Sequence, residues 1–158
     1  MKKIILSMKP GWMEYVMSGE KIYEYRTRFP DDEIEAYLYV SRPDCVITGK
    51  IILGRKILLD EWLDKYSTHP EVLDRINAYI KRGNKVVMPI ISYQTTNALS
   101  REYLEEKIGK FTVPQSFYYV KEGTRLFEVL EKEIIPTSGW NYNVFSDKCL
   151  DEICRKYK

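Results

Sequence analysis

The sequence predicts an α+β fold in which a small mixed β-barrel is flanked by several short helices. Short apolar and β-branched segments are mixed with short amphipathic helical segments, without the regular alternation that a parallel β-α-β sheet requires. Hydrophobic residues make up 44% of the 158 residues, which is sufficient for the core of one domain. No internal repeat and no low-complexity segment interrupts the chain.

Composition and charge narrow the classes of function. The formal net charge of +2 permits contact with nucleic acid but does not by itself predict it. The apolar runs are shorter than the ~18 residues of a membrane span, and no signal peptide is evident, so we expect a cytoplasmic protein without membrane contact. The three cysteines and the single histidine, His69, match neither a zinc site nor a histidine-based catalytic triad. We therefore expect no metal and no other cofactor.

The first 60 residues predict four strands and one short helix. Apolar and β-branched content places the strands at residues 3–8, 21–29, 35–41 and 46–59. The helix lies between the first two strands, where Pro10 and Gly11 begin it and Gly19 ends it. Gly49 and Gly54 indicate bulges or bends in the fourth strand.

The following residues predict more helix. Apolar residues at helical spacing place helices at residues 61–66, about 70–80, 100–108 and about 124–132. Asp60 is expected to cap the first of these, and Thr68 and Glu71 to form a capping box on the second. Strands are predicted at residues 85–93 and 117–120, with Pro89 indicating a sheet edge or a bulge. Beyond Pro136, a loop with exposed-type aromatic residues precedes a last helix, which Ser146 is expected to cap.

The most informative local feature is a charge cluster where the first helix passes into the second strand. Residues two apart on a strand face the same side, so Glu24 and Arg26 project together, about 7 Å apart, and the intervening tyrosine points away. Arg26 offers a planar set of donors that suits a phosphate, a carboxylate or a base edge. Lys21 precedes Glu24 and Arg26, at the junction between the first helix and the second strand. The cluster is either a solvated surface, where ion pairs contribute about 0–1 kcal/mol, or the wall of a polar pocket.

Four segments resemble, in the right order, the ASCH domain family of the PUA-like superfamily. They are Leu6-Ser7-Met8-Lys9-Pro10, Gly19-x-Lys21-x-x-Glu24-x-Arg26, Tyr39-Val40-Ser41-Arg42-Pro43 and Val113-Pro114-Gln115-Ser116-Phe117. The resemblance spans about residues 3–131 and implies a PUA-like barrel with a cleft around the second segment. It divides the chain into an ASCH domain, residues 1–133, and a C-terminal extension, residues 134–158.

The resemblance implies a binding module for RNA or for a nucleoside- or nucleotide-like ligand. The polar cleft would be built around Lys21, Glu24 and Arg26. Further ligand contacts are expected from polar residues of the other three segments, namely Ser7, Lys9, Ser41, Gln115 and Ser116. Such a cleft reads a nucleobase by its edges, as proteins that bind single-stranded RNA do.

Two other functions stay open. Some family members hydrolyse an acyl group from N-acylated cytidine with a lysine, a threonine three residues later and a glutamate. Here Glu24 stands at the threonine position, so an amidohydrolase would have Lys21 and Glu24 as its candidate catalytic residues. A carboxylate beside Lys21 is expected to raise the lysine pKa, which disfavours a lysine base and makes binding the first choice. The third function is a protein-interaction domain whose 134–158 extension contacts a partner.

Overall fold

The computed structural model describes residues 1–146 and 149–157. These residues form one mixed sheet, curved into a half-barrel, and five α-helices. The strands are β1 Lys2–Met8, β2 Tyr23–Arg26, β3 Ile34–Val40, β4 Val46–Leu53, β5 Ile57–Leu58, β6 Val86–Ser100, β7 Phe117–Val120 and β8 Asn141–Tyr142. The helices are α1 Pro10–Met17, α2 Leu59–Lys65, α3 Pro70–Lys81, α4 Arg101–Ile108 and α5 Arg125–Glu133. None of the helices described is long and apolar enough to cross a membrane.

The strand order brings the ends of several strands together at one place. Along the sheet the order is β2-β6-β4-β3-β1-β7, and β5 and β8 also pair with β6. The β1 and β3 strands are parallel, whereas the other pairs are antiparallel. Gly49 lies at a register shift between β4 and β6, which confirms the bulge expected there. The α+β barrel predicted from the sequence is confirmed.

At β1 and β3 both faces of the sheet are buried, which explains why these two strands are nearly continuously apolar. Ile4 and Leu6 of β1 pack into the cluster inside the half-barrel, whereas Ile5 between them packs against α4 and α5. A third cluster joins α2 and α3 to Tyr25 of β2, and it includes Cys154 from the C-terminal extension. The extension is therefore packed against the strand that carries the charge cluster.

Some predicted boundaries and caps are wrong. The second strand, predicted at residues 21–29, begins only at Tyr23 and ends at Arg26. The strand predicted at residues 46–59 is divided into β4 and β5. The strand predicted at 85–93 continues to Ser100. Pro89 lies between β2 and β4 rather than at an edge, whereas the alternative expectation of a bulge agrees with the register shift between β4 and β6 at residues 90–92. The capping side chains Asp60 and Thr68 make no cap hydrogen bond. At α3 the first helical residue is Pro70, whose missing N–H leaves one fewer donor to satisfy.

The predicted last helix is also wrong within the described residues. A 3-10 turn, Leu150–Glu152, follows Cys149, while residues 147 and 148 of the predicted helix lie outside the described residues. Cys154 adopts a left-handed φ of 48°, which ends any helical path, and its N–H donates to the Tyr25 hydroxyl at 2.7 Å. The extension follows contacts with the domain rather than its own helical pattern.

Gly19 turns the chain from α1 toward Lys21. Its φ is 78°, and a Cβ at this position would lie 2.9 Å from the Tyr93 hydroxyl. We expect Gly19→Ala to lower the free energy of unfolding by about 1–3 kcal/mol, since it adds a steric clash to backbone strain. Urea denaturation measures the change. Gly123→Ala is the matched control, because Gly123 has a φ of 80° but its Cβ would meet no atom within 4 Å. Equal losses of unfolding free energy in the two variants would show that the clash with Tyr93 contributes nothing.

Candidate functional site

One cavity of about 820 Å³ contains every site residue singled out in the sequence. It lies where the C-terminal ends of β1 and β3 meet β2, the segment before β7 and the end of α3. The residues brought together are Ser7, Lys9, Lys21, Glu24, Arg26, Ser41, Gln115 and Ser116. The charged residues therefore line a cavity and do not form the solvated surface that was the alternative interpretation of the sequence. That they bind a ligand stays a prediction.

Backbone pairing fixes the serines of this cavity relative to one another. The parallel register of β1 and β3 places Met8 opposite Val40, so both strands end at the same edge. Ser41, directly after β3, donates its N–H to the Met8 carbonyl at 2.9 Å. Ser7 donates its N–H to the Ser116 carbonyl, also at 2.9 Å. Three serines from distant parts of the chain therefore lie together on one wall of the cavity.

The guanidinium of Arg26 is held in one orientation across the cavity. Its Nη2 donates to the Ser7 carbonyl at 2.8 Å, and its Nη1 donates to Ser116 Oγ at 3.3 Å. Its Nε lies 3.5 Å from Oε1 of Glu24. This Nε is buried and donates no hydrogen bond to any residue that the structure describes. A cation held in one orientation at a cavity is suited to an anionic ligand.

Glu24 is buried beside Arg26 rather than exposed on a strand surface. Its side chain is 10% exposed, and Oε1 accepts the N–H of Tyr25 at 3.2 Å. A buried carboxylate requires a compensating charge, which the neighbouring guanidinium supplies. Glu24 therefore helps to hold Arg26 and keeps acceptor capacity toward the cavity.

Lys21 lies in an enclosure of three aromatic rings. Only 4% of the residue is exposed, and its Nζ lies 5.0 Å from the ring centroid of Trp12, 5.1 Å from that of Tyr25 and 5.3 Å from that of Tyr157. Within residues 1–146 and 149–157 its ammonium makes no hydrogen bond or ion pair. Each ring face attracts the ammonium by about 0.5–2 kcal/mol, which partly offsets the lost hydration.

Burial lowers the pKa of Lys21 below its ordinary value of 10.5. Removal of the ammonium from water is the largest cause; the charge of Arg26 lowers the pKa further, while that of Glu24 raises it. The expectation that the carboxylate would raise the pKa of this lysine is therefore wrong in its net result. The sequence revealed the charge of Glu24, but it did not reveal the burial of Lys21, whose effect on the pKa is larger.

Comparison with known proteins gives one curated relative and closely similar folds. No family model matches the chain. An ASCH domain-containing ribonuclease of Zymomonas mobilis is 23% identical over 151 residues, which cover 84% of this chain and 95% of the relative. The crystal structure of ASCH from Zymomonas mobilis has a TM-score of 0.66 at 18% identity, and covers 84% of this chain and 96% of its own. That of a tyrosine-to-phenylalanine mutant of ZmASCH has a TM-score of 0.63 at 17% identity, with coverages of 85% and 99%.

The chain has the fold of an ASCH domain. The resemblance drawn from its four sequence segments is confirmed, and so is the PUA-like barrel that they implied. At these identities the solved structures show the fold alone, so the chemistry of the site has to be argued from the residues present.

The cavity also contains basic residues that the sequence did not single out. Arg28 lies two residues beyond Arg26, so the strand periodicity that paired Glu24 with Arg26 pointed to it as well. Arg82 follows α3, where a cation is ordinarily explained by the helix dipole, and no sequence signal placed it at the cavity. Both are exposed at the rim, whereas Glu24 is buried. Of the residues that the structure describes, five basic side chains and one acidic side chain line the cavity.

The described residues contain no metal-binding cluster. Among residues 1–146 and 149–157, no group of three or more histidine, cysteine, aspartate or glutamate side chains could hold a metal ion.

Proposed function

We propose that this cavity binds single-stranded RNA, or a nucleotide-like part of it, through the phosphate group. The observation that carries the proposal is the concentration of charge: among the described residues, five basic side chains and one acidic side chain line the cavity, in a chain with a formal net charge of only +2. Convergent cations in a partly enclosed site attract anions. The relative from Zymomonas mobilis is named a ribonuclease, which favours RNA among the possible anions.

The depth of the basic side chains suggests how an RNA strand is held. Arg26 is mostly buried and fixed at the centre, whereas Lys9, Arg28 and Arg82 are exposed at the rim. The central guanidinium suits one phosphate bound in defined geometry, and the rim suits the flanking phosphates of a flexible strand. Gln115, exposed on the same rim, has both donors and acceptors for a base edge.

A binding titration tests this proposal. We expect the fluorescence anisotropy of a 5′-labelled ten-nucleotide single-stranded RNA to rise with protein concentration, and log K to fall with log salt by about 0.7 per phosphate contacted. Arg82→Glu is expected to weaken binding and to flatten this slope, since it removes one phosphate contact and adds a repulsive charge. Arg55→Glu is the matched control, because the Arg55 side chain is 78% exposed and lies outside the cavity. No binding, or equal effects of the two variants, would contradict the proposal.

RNA cleavage is a second candidate, favoured by the name of the curated relative and by the lowered pKa of Lys21. In this reaction the 2′-hydroxyl attacks the adjacent phosphorus and the bond to the 5′-oxygen breaks, which leaves a 2′,3′-cyclic phosphate and a 5′-oxygen that takes a proton from water to become the 5′-hydroxyl. Lys21 in its neutral form would accept the 2′-hydroxyl proton, and Arg26 would stabilise the charge on the phosphorus oxygens.

Lys21→Arg separates binding from cleavage. Arginine keeps the positive charge but does not lose its proton in proteins, so we expect RNA to bind and not to be cleaved. Gel analysis of labelled RNA measures cleavage, and anisotropy measures binding. Cleavage at the wild-type rate in this variant would exclude Lys21 as the base.

Deacylation of N-acylated cytidine remains the amidohydrolase alternative. It would use Glu24 as a general base on water and Lys21 or Arg26 to stabilise the oxyanion. No feature of the described residues favours this substrate over RNA. Release of free acid from N-acylated cytidine, lost in Glu24→Gln, would establish it.

A further inference from the structure

Tyr157, in the C-terminal extension, forms one wall of the Lys21 enclosure. Its ring centroid is 5.3 Å from Lys21 Nζ. The ring also lies 5.0 Å from that of Trp12, edge to face, and 4.8 Å from that of Tyr15. A residue far along the chain is therefore packed against the lysine and the helix that border the cavity.

Hydrogen bonds from the domain hold the extension in this position. Arg75 of α3 donates to the Leu150 carbonyl at 2.7 Å and to the Ile153 carbonyl at 3.0 Å. The Tyr79 hydroxyl donates to the Arg155 carbonyl. Arg155 in turn donates to the Glu20 carbonyl at 3.3 Å, directly before Lys21. These contacts fix the backbone of the extension shortly before Tyr157 and tie it to the residue that precedes Lys21.

We propose that Tyr157 is a positioning residue that holds the Lys21 ammonium inside the cavity, so that the C-terminal extension completes the ligand site of the domain. The use of Lys21 toward RNA rests on the proposed function. The enclosure of Lys21 does not, and it can be measured in the free protein.

The geometry explains why this wall matters. A lysine has a flexible four-carbon stem and a strongly hydrated ammonium, so an unconfined side chain turns toward water. Rings on three sides leave the cavity as its open direction. The charged or titratable groups that face Lys21 are Glu24 and Arg26 from β2, the phenols of Tyr25 and Tyr157, and the thiol of Cys154. Loss of the Tyr157 ring would admit water on the side away from the ligand.

Three substitutions at Tyr157 distinguish a positioning role from a structural one. In Tyr157→Ala water reaches Lys21, so we expect its pKa to rise toward 10.5 and RNA to bind about tenfold more weakly. Tyr157→Phe keeps the ring face, and both quantities should stay near the wild-type values. Tyr157→Leu keeps an apolar wall without a π-system, so the Lys21 pKa should fall below that of the wild type.

The Lys21 pKa is measured by NMR on protein with isotope-labelled lysine, and RNA affinity by the anisotropy titration. Thermal denaturation confirms that each variant is folded, and Tyr142→Ala, which alters a 72% exposed tyrosine of the extension, is the control. The leucine variant provides the test if the alanine variant does not fold. An unchanged Lys21 pKa in a folded alanine or leucine variant would overturn the proposal. If the wild type binds no RNA, the proposed function fails, whereas the pKa measurement still decides the role of Tyr157.

Discussion

Arg26→Ala is expected to weaken RNA binding by about a hundredfold, because charged hydrogen bonds to a phosphate contribute about 1.5–3 kcal/mol each. The guanidinium is already held by the Ser7 carbonyl and by Ser116 Oγ, so little ordering remains to be done when the ligand binds. The substitution also leaves Glu24 without its cation, next to the position of the phosphate. Anisotropy with single-stranded RNA measures the loss.

Two further variants show which effect dominates. Arg26→Lys keeps the charge but loses the planar set of donors, so we expect an intermediate loss of about tenfold. Arg26→Ala combined with Glu24→Gln removes the unpaired carboxylate. If the double variant recovers wild-type affinity, repulsion by Glu24 rather than the loss of Arg26 explains the single variant, and the role given to Arg26 is wrong.

Lys21→Met is expected to separate stability from function. The ammonium is buried without a hydrogen bond or ion pair to any described residue, so an apolar side chain of similar length should leave the free energy of unfolding unchanged or raise it by up to about 2 kcal/mol. RNA affinity should nevertheless fall, because a cation facing the cavity is lost. Urea denaturation and anisotropy measure the two quantities. A clear loss of stability would show that the aromatic enclosure compensates fully for burial of the charge.

The pH dependence of stability follows from the same lysine. Because the pKa of Lys21 is lowered in the folded protein, the unfolded chain binds more protons between that pKa and 10.5. Stability therefore rises with pH through this window, as the folded protein no longer holds a buried charge. The rise should be smaller in Lys21→Met. Equal slopes in the two proteins would contradict the lowered pKa.

The sequence predicted the centre of the site because its signals are local. Glu24 and Arg26 are two residues apart on a strand, and periodicity places them on one side. The resemblance to the ASCH domain family predicted that the segments containing Ser7, Ser41 and Ser116 lie near these two residues. The parallel pairing of β1 and β3 explains why Ser7 and Ser41 lie close together.

What the sequence could not provide depends on tertiary contacts. Burial lowers the pKa of Lys21, and the residues next to it in the sequence do not reveal that it is buried. The sequence predicts a last helix after Ser146, but the hydrogen bonds from Arg75 and Tyr79 impose another path on the extension. Arg82 has the same sequence context whether it is solvated at a helix end or lines a cavity.

An NMR titration with a short single-stranded RNA tests the central claim most directly. If RNA binds around the fixed guanidinium, amide resonances should shift at the cavity wall, namely at Ser7, Arg26 and Ser116, and these shifts should be absent in Arg26→Ala. Shifts confined to the neighbouring cavity of about 630 Å³, at Arg101, Lys110 and Phe111, or shifts that persist unchanged in Arg26→Ala, would contradict the account.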